Sequence, residues 1–310
     1  MGLIFSQVHQ TPSGSQEGKS HLHLDSPLPS DFSQEKVFAV LADYLSPESP
    51  LPLDLAVESL LKLLPANGPD SQELCRFGED CFEIAEISSY KTSAHSRLAQ
   101  LLEALGLSSQ FTWVTRENGR VWRFEPLRIS MHNSYKGPNR SNPTHYINYN
   151  SFLAHLYSHR IFPTDPTYAL WAMRAAFEDD RNSEPAALRS AWVLGAAQWI
   201  LWNGQGLFQL VMEPALFDVT LETWPALRRE QAWGVGRRYE GRGEGGLSLE
   251  RWRFWRGGFG QVETGVGDGL GDVNADADGD GGNDGFSEEC RVVAGRAREL
   301  MEALERNMRF

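Results

Sequence analysis

The sequence predicts a mainly α-helical protein. A multi-helix domain surrounds one apolar, Trp-rich helix, with a single β-hairpin, a disordered N-terminal tail and an acidic, glycine-rich linker before the last helix. Three observations lead there. Glu184–Met212, EPAALRSAWVLGAAQWILWNGQGLFQLVM, is apolar on nearly every side, with Trp192, Trp199 and Trp202 spread around it. A helix without a solvated face has to be surrounded by protein or by lipid. Stripes of apolar residues at helical spacing flank this helix on both sides, and segments without any apolar period are confined to the chain start and to Gly265–Gly285. The division expected is a tail over 1–30, a helical domain over 31–263, a linker over 264–286 and a C-terminal amphipathic helix over 287–310.

Composition narrows the function classes. A net charge of −12 argues against a general nucleic-acid binder, which carries excess positive charge. Cys75, Cys81 and Cys290 are too few and too scattered for a disulfide framework or a zinc site. They fit a reducing, intracellular compartment, cytoplasmic or nuclear. The N-terminus has no charged lead before a long apolar core, so a secreted protein is not expected.

In chain order, residues 1–30 are rich in Ser, Gln, His, Gly and Pro and cannot bury enough surface to offset their ordering entropy. Gly2 with Ser6 fits the N-myristoylation pattern. No nearby Cys or basic cluster supplies a second anchor, so an unmodified N-terminus is favoured. Gly14–Ser20 is one residue short of a phosphate-binding loop and follows no strand.

Val37, Phe38, Leu41, Tyr44 and Leu45 form the first helical stripe, and Leu53, Val57, Leu60, Leu61 and Leu64 the second. A third helix is expected from Gln72 to Ile87, with Cys75 and Cys81 on different faces. A fourth runs from a cap at Thr92 or Ser93, through Leu98, Leu101, Leu102 and Leu105, to Gly106. The period then changes to two around Asn118-Gly119, a strong hairpin signal. A two-residue turn there would set Thr115 opposite Trp122 and Trp113 opposite Phe124. Residues Glu125–Thr144, with Pro126, Gly137, Pro138 and Pro143, read as a long loop.

Helices resume at His145. His155 and His159 lie four apart, a spacing that suits one metal, but no third ligand or catalytic Glu accompanies them, so no metal is expected. Asp165 caps the next helix with Pro166 in its first turn. That helix ends in Glu178-Asp179-Asp180, read as a solvated acidic entrance to a loop.

The motifs Asn148-Tyr149-Asn150-Ser151-Phe152-Leu153-Ala154, Tyr168-Ala169-Leu170-Trp171-Ala172 and Ala196-Ala197-Gln198-Trp199-Ile200 resemble a family of uncharacterised fungal proteins, domain-of-unknown-function family thirty-six thirty-two. The resemblance runs from Tyr146 to the Trp-rich stretch near Trp255. It implies a fungal origin and a mostly helical fold. The family carries no established activity, so the resemblance assigns no functional residue. The Asn-Gly hairpin and the loop after it stand apart from it.

The central helix is long enough to cross a bilayer. Gln198, Asn203, Gln205 and Gln209, with Gly204 and Gly206, favour instead a core helix that weakens or ends near Gly204. Beyond it, Trp224, Arg228, Arg229, Trp233, Arg237, Arg238, Arg251, Trp252, Arg253, Trp255 and Arg256 interleave aromatic and basic residues. Such a pattern can grip nucleic acid, but interspersed Glu favours pairing within the protein. Gly241–Gly246 has the dinucleotide glycine pattern without a preceding strand. Asp276, Asp278 and Asp280 copy the start of a calcium loop whose twelfth position is Ser287 and not Glu, so a plain linker is expected. Val293, Ala297, Leu300, Met301 and Leu304 form the stripe of the last helix, expected to dock back on the domain.

The function expected is a non-enzymatic interaction or scaffold module, without catalytic residues, cofactor or metal. The alternative is an enzyme or small-molecule binder whose pocket in the helical core is lined by Trp192, Gln198, Trp199, Trp202, Asn203, Gln205 and Gln209.

Overall fold

A computed structural model of the chain describes residues 32–65, 71–114, 121–123, 125–161, 166–213, 233–243, 246–265 and 285–307. The N-terminal tail with Gly2, the Asn118-Gly119 turn, Asp165, Trp224 with Arg228 and Arg229, and the acidic segment with Asp276, Asp278 and Asp280 lie outside them.

The described residues form ten α-helices and one two-stranded sheet, which bears out the helical fold class. Helices α1 (Gln34–Leu45), α2 (Leu53–Leu63), α3 (Gln72–Ile87) and α4 (Ala94–Leu105) follow the apolar stripes closely. Ser33 and Ser71 cap α1 and α3 by accepting Lys36 N–H and Leu74 N–H.

Strands β1 (Thr112–Val114) and β2 (Val121–Arg123) pair Trp113 with Trp122 and Val114 with Val121. The expected register is therefore wrong by two residues: Trp113 faces Trp122 and not Phe124. A shift of two preserves the alternation of faces, whereas a shift of one would reverse it. The expected long loop is also corrected: Glu125–Ser134 is a helix, α5. Pro126 falls in its first turn, where a missing N–H costs nothing. Leu127 and Met131, one helical turn apart, are buried, and α5 packs on α3. Ser130 Oγ donates to Cys75 O at 3.1 Å, and a Cβ on Gly78 would lie 2.7 Å from that hydroxyl.

Helix α6 (Thr144–Ser158) and helix α8 (Ala186–Met212) form the most extensive helix pair. Gly195 lets the Tyr146 ring lie where a Cβ would be, 2.5 Å away. Asn150, fully buried, accepts the Trp199 indole N–H at 2.8 Å and donates to Tyr146 O at 2.8 Å. Both groups are thereby satisfied without water. Helix α8 breaks at Asn203 (φ −132°, ψ 17°), where the two nearby glycines weakened the sequence pattern. No helix among the described residues is long and apolar enough to cross a membrane.

Helix α7 (Thr167–Phe177) begins after Pro166, which holds the N-cap position. Helix α9 (Leu249–Thr264) is capped by Ser248 at its start and by left-handed Gly265 (φ 67°) at its end. Helix α10 (Glu288–Asn307) has Glu288 and Glu289 in its first turn and Arg306 in its last, as the helix dipole prefers.

The acidic run after α7 is corrected at its first residue, while Asp179 is partly exposed and Asp180 exposed as expected. Glu178 is fully buried, and so is Arg251 of α9. The carboxylate accepts Arg251 Nε–H at 2.7 Å, Arg251 Nη2–H at 3.0 Å, the Trp255 indole N–H at 2.7 Å and Gly236 N–H at 2.8 Å. Arg251 spends its remaining donors on Trp233 O, Gly246 O and Gly234 O. All five guanidinium N–H groups are thus satisfied, the condition under which a buried ion pair is tolerated.

Candidate functional site

The seven residues singled out on the central helix are dispersed by the helical turn. Trp199 is fully buried on Asn150, and Gln198, also buried, accepts the Trp202 indole N–H at 3.0 Å. Trp192 donates to Glu184 Oε2 at 2.7 Å, lies against Gly137 and has the Arg181 guanidinium stacked 4.3 Å from its ring. Trp202 is 44% exposed and tilts over the His155 ring at 4.5 Å. Asn203 stands at the kink beside Gly206, and Gln205 and Gln209 are exposed. Among the described residues, Trp202 joins Gln198 to His155.

The histidines separate too. His159 Nδ1 meets Glu103 Oε2 at 2.7 Å, and His155 lies under Trp202. His95, which the sequence did not mark, is buried between Ser151 Oγ and Ala85 O, each 3.0 Å away. A carbonyl only accepts, so Nε2 carries the hydrogen and Nδ1 accepts from Ser151. Burial lowers the pKa of both His95 and His155 to about 4, so each is neutral at pH 7. Among the described residues no three His, Cys, Asp or Glu gather as donors for a metal.

One small cleft opens between α3 and the start of α6, lined by Glu86, Lys136, Asn142, His145, Tyr146 and Tyr149 among others. Lys136 Nζ lies 3.1 Å from Glu86 Oε2. Its interior of ≈10 Å³ matches one water position and is too small for a metabolite. None of the seven central-helix residues lines it.

The larger constellation is a groove between α8 and α9 that holds α10. Cys290, Ala294, Ala297 and Met301 of α10 are fully buried along it. Small residues let the helices approach closely. A Cβ on Gly204 of α8 would lie 3.3 Å from Leu304 Cδ1, and one on Gly260 of α9 would lie 3.2 Å from Arg298 Cδ. Gly295 of α10 gives room to the Glu263 carboxylate in return. Ion pairs rim the groove: Arg253 and Arg256 of α9 each reach Glu305 at 2.6 Å, and Arg298 reaches Glu263 at 2.6 Å.

The N-terminal end of α10 is held differently. Ser287 N–H donates to Ser190 Oγ at 3.3 Å, and Glu289 takes Lys91 Nζ at 2.6 Å together with the Tyr90 hydroxyl. Sequence reasoning found the stripe of α10 but not its receiving surface. Gly204 and Gly260 were the available signal, since glycine inside an apolar helix marks close approach.

A family model described as a protein of unknown function (DUF3632) matches residues 79–259, more than half of the chain. The match begins well before Tyr146, so it takes in the hairpin and α5, which had been set apart from the resemblance. It includes α8 and most of α9 and ends before α10. No curated protein and no solved structure matches the chain.

Proposed function

The chain belongs to that family of proteins of unknown function, and from this premise we propose that it acts as a non-enzymatic interaction module whose recognition surface is the α8–α9 groove. The observation that carries the reading is the seating of α10. It is an amphipathic helix laid by its small apolar face into a groove and fixed by charges at the rim. This is how helical peptides are recognised between proteins. Helix α8 and residues 249–259 of α9 lie within the matched residues 79–259, whereas Gly260, Glu263 and the helix that fills the groove lie beyond them.

The test uses the full chain as bait. Ala294→Glu places a carboxylate on the buried face of α10 and should vacate the groove while α8 and α9 remain formed. Proteins should then be captured from native lysate by the variant, escape the wild type, and be released by a synthetic peptide of residues 286–310. Equal capture by both chains would sink the reading.

A further inference from the structure

We infer that the exposed side of α8 is a binding site for a neutral saccharide, with Trp202 as its stacking platform and Gln205 and Gln209 as its hydrogen-bonding arms. The site is separate from the groove. Gly204 turns toward Leu304 of α10, whereas Trp202, Gln205 and Gln209 are exposed.

The platform is built before any ligand arrives. Trp202 is exposed yet fixed: its indole N–H donates to Gln198 Oε1 at 3.0 Å, and the His155 ring packs 4.5 Å away at 31°. Holding the ring in place in this way removes an ordering cost from binding. His155 is the one ring packed on Trp202 among the described residues, so indole surface is left for a ligand. Gln205 and Gln209 follow three and seven residues later, and Met212 after them, on the exposed side of the same helix. Neither glutamine amide has a hydrogen-bond partner among the described residues. At helical rise, Trp202 and Gln209 stand about 10 Å apart along the axis, the length of a disaccharide.

The chemistry of this side selects the ligand. Ser190 to Met212 contains no charged residue, so an ionic ligand finds no counter-charge on the run, and the phosphates of a nucleotide find no cation. An amide both donates and accepts, which matches hydroxyl groups that do the same. The C–H face of a pyranose is apolar and lies flat on an indole, while the hydroxyls at its rim reach the amides. A protein partner fits less well. It would bury about 800 Å² on each side around an apolar centre, whereas the exposed apolar side chains of this stripe, Trp202 and Met212, are separated by the two glutamines.

Calorimetric titration of the full chain with maltohexaose, cellohexaose, laminarihexaose and chitohexaose tests this, with adenosine as the control. At least one hexasaccharide should bind. Trp202→Ala should weaken that binding by about tenfold, the scale of one lost aromatic contact, and Trp202→Phe should restore most of it. Gln205→Ala combined with Gln209→Ala, both at exposed positions, should weaken binding severalfold and leave the melting temperature in place. That pair decides the case if Trp202→Ala fails to fold. No binding by any of the four, or binding that neither the Trp202 nor the glutamine variants weaken, overturns the inference. Adenosine bound in their place, and lost with Trp202, overturns the saccharide as the ligand class.

Discussion

At the residue scale, the groups most suggestive of chemistry are spent on structure. Glu178 and Arg251 saturate one another and four backbone partners inside the protein. Glu178→Ala leaves a buried guanidinium without its counter-charge and should cost about 3–5 kcal/mol, read from urea unfolding at pH 7. A loss below about 1 kcal/mol would mean that the pair is solvated. Titrating groups give a second test. His95 is held at about 4 by burial, against 6.5 unfolded, so between those values the unfolded chain binds more protons and stability falls as pH drops. His155 acts in the same direction. Burial pushes Asp80 the other way, to about 6 from 3.8, so the stability of its neutral form is lost as pH rises through 6. Two histidines outweigh one aspartate, and acidification from pH 6.5 to 4 should destabilise the protein. His95→Gln should flatten that slope by about 3 kcal/mol at most. Asp80→Asn should raise the melting temperature at pH 7 and have little effect near pH 4.

At the scale of elements, glycines mark where helices touch, and two of them predict opposite signs. Gly195→Ala drives a methyl into the Tyr146 ring, 2.5 Å away between packed helices, and should destabilise by about 1–3 kcal/mol. Gly257→Ala, within α9 and with open space around its missing Cβ, should stabilise by about 0.5–1 kcal/mol through helix propensity alone. Thermal melts of the two variants check both, and a shared sign would mean that propensity or packing has been misjudged. Helix α5 shows where sequence patterning ran out. Pro126 near its start and the polar His132 and Asn133 near its end left too few apolar positions to establish a period, although Leu127 and Met131 are buried one turn apart. The hairpin failed in another way. Asn118-Gly119 pointed to the right two segments, but the turn a dipeptide suggests fixes register only if the chain turns at that dipeptide, and the strands pair two residues away from that register.

At the scale of the whole molecule, the helical class and the place of the central helix were legible because an apolar, uncharged run of that length admits few alternatives. The candidate site was not. The seven residues on α8 share one stretch of sequence but point around the whole helix, whereas the groove and the helix in it bring together Gly204 of α8, Gly260 and Glu263 of α9 and Glu305 of α10, far apart in the chain. Proximity of that kind exists only after folding. For the acidic segment the expectation is a plain tether, and adding millimolar calcium to the full chain should leave its melting temperature unchanged; a clear rise would show a ligand preferring the folded state. The two attachments of the C-terminal half also differ in what salt can reach. Glu178 and Arg251 are wholly enclosed, whereas Arg253 is half exposed and Arg256, Arg298 and Glu263 are each about a third exposed. At about 1 M ionic strength the screening length shrinks to about 3 Å, which weakens exposed pairs and leaves enclosed ones nearly intact. Concentrated sodium chloride should therefore speed amide hydrogen exchange along α10 while the start of α9 stays protected, making ionic strength a dial that loosens the last helix and spares its neighbour.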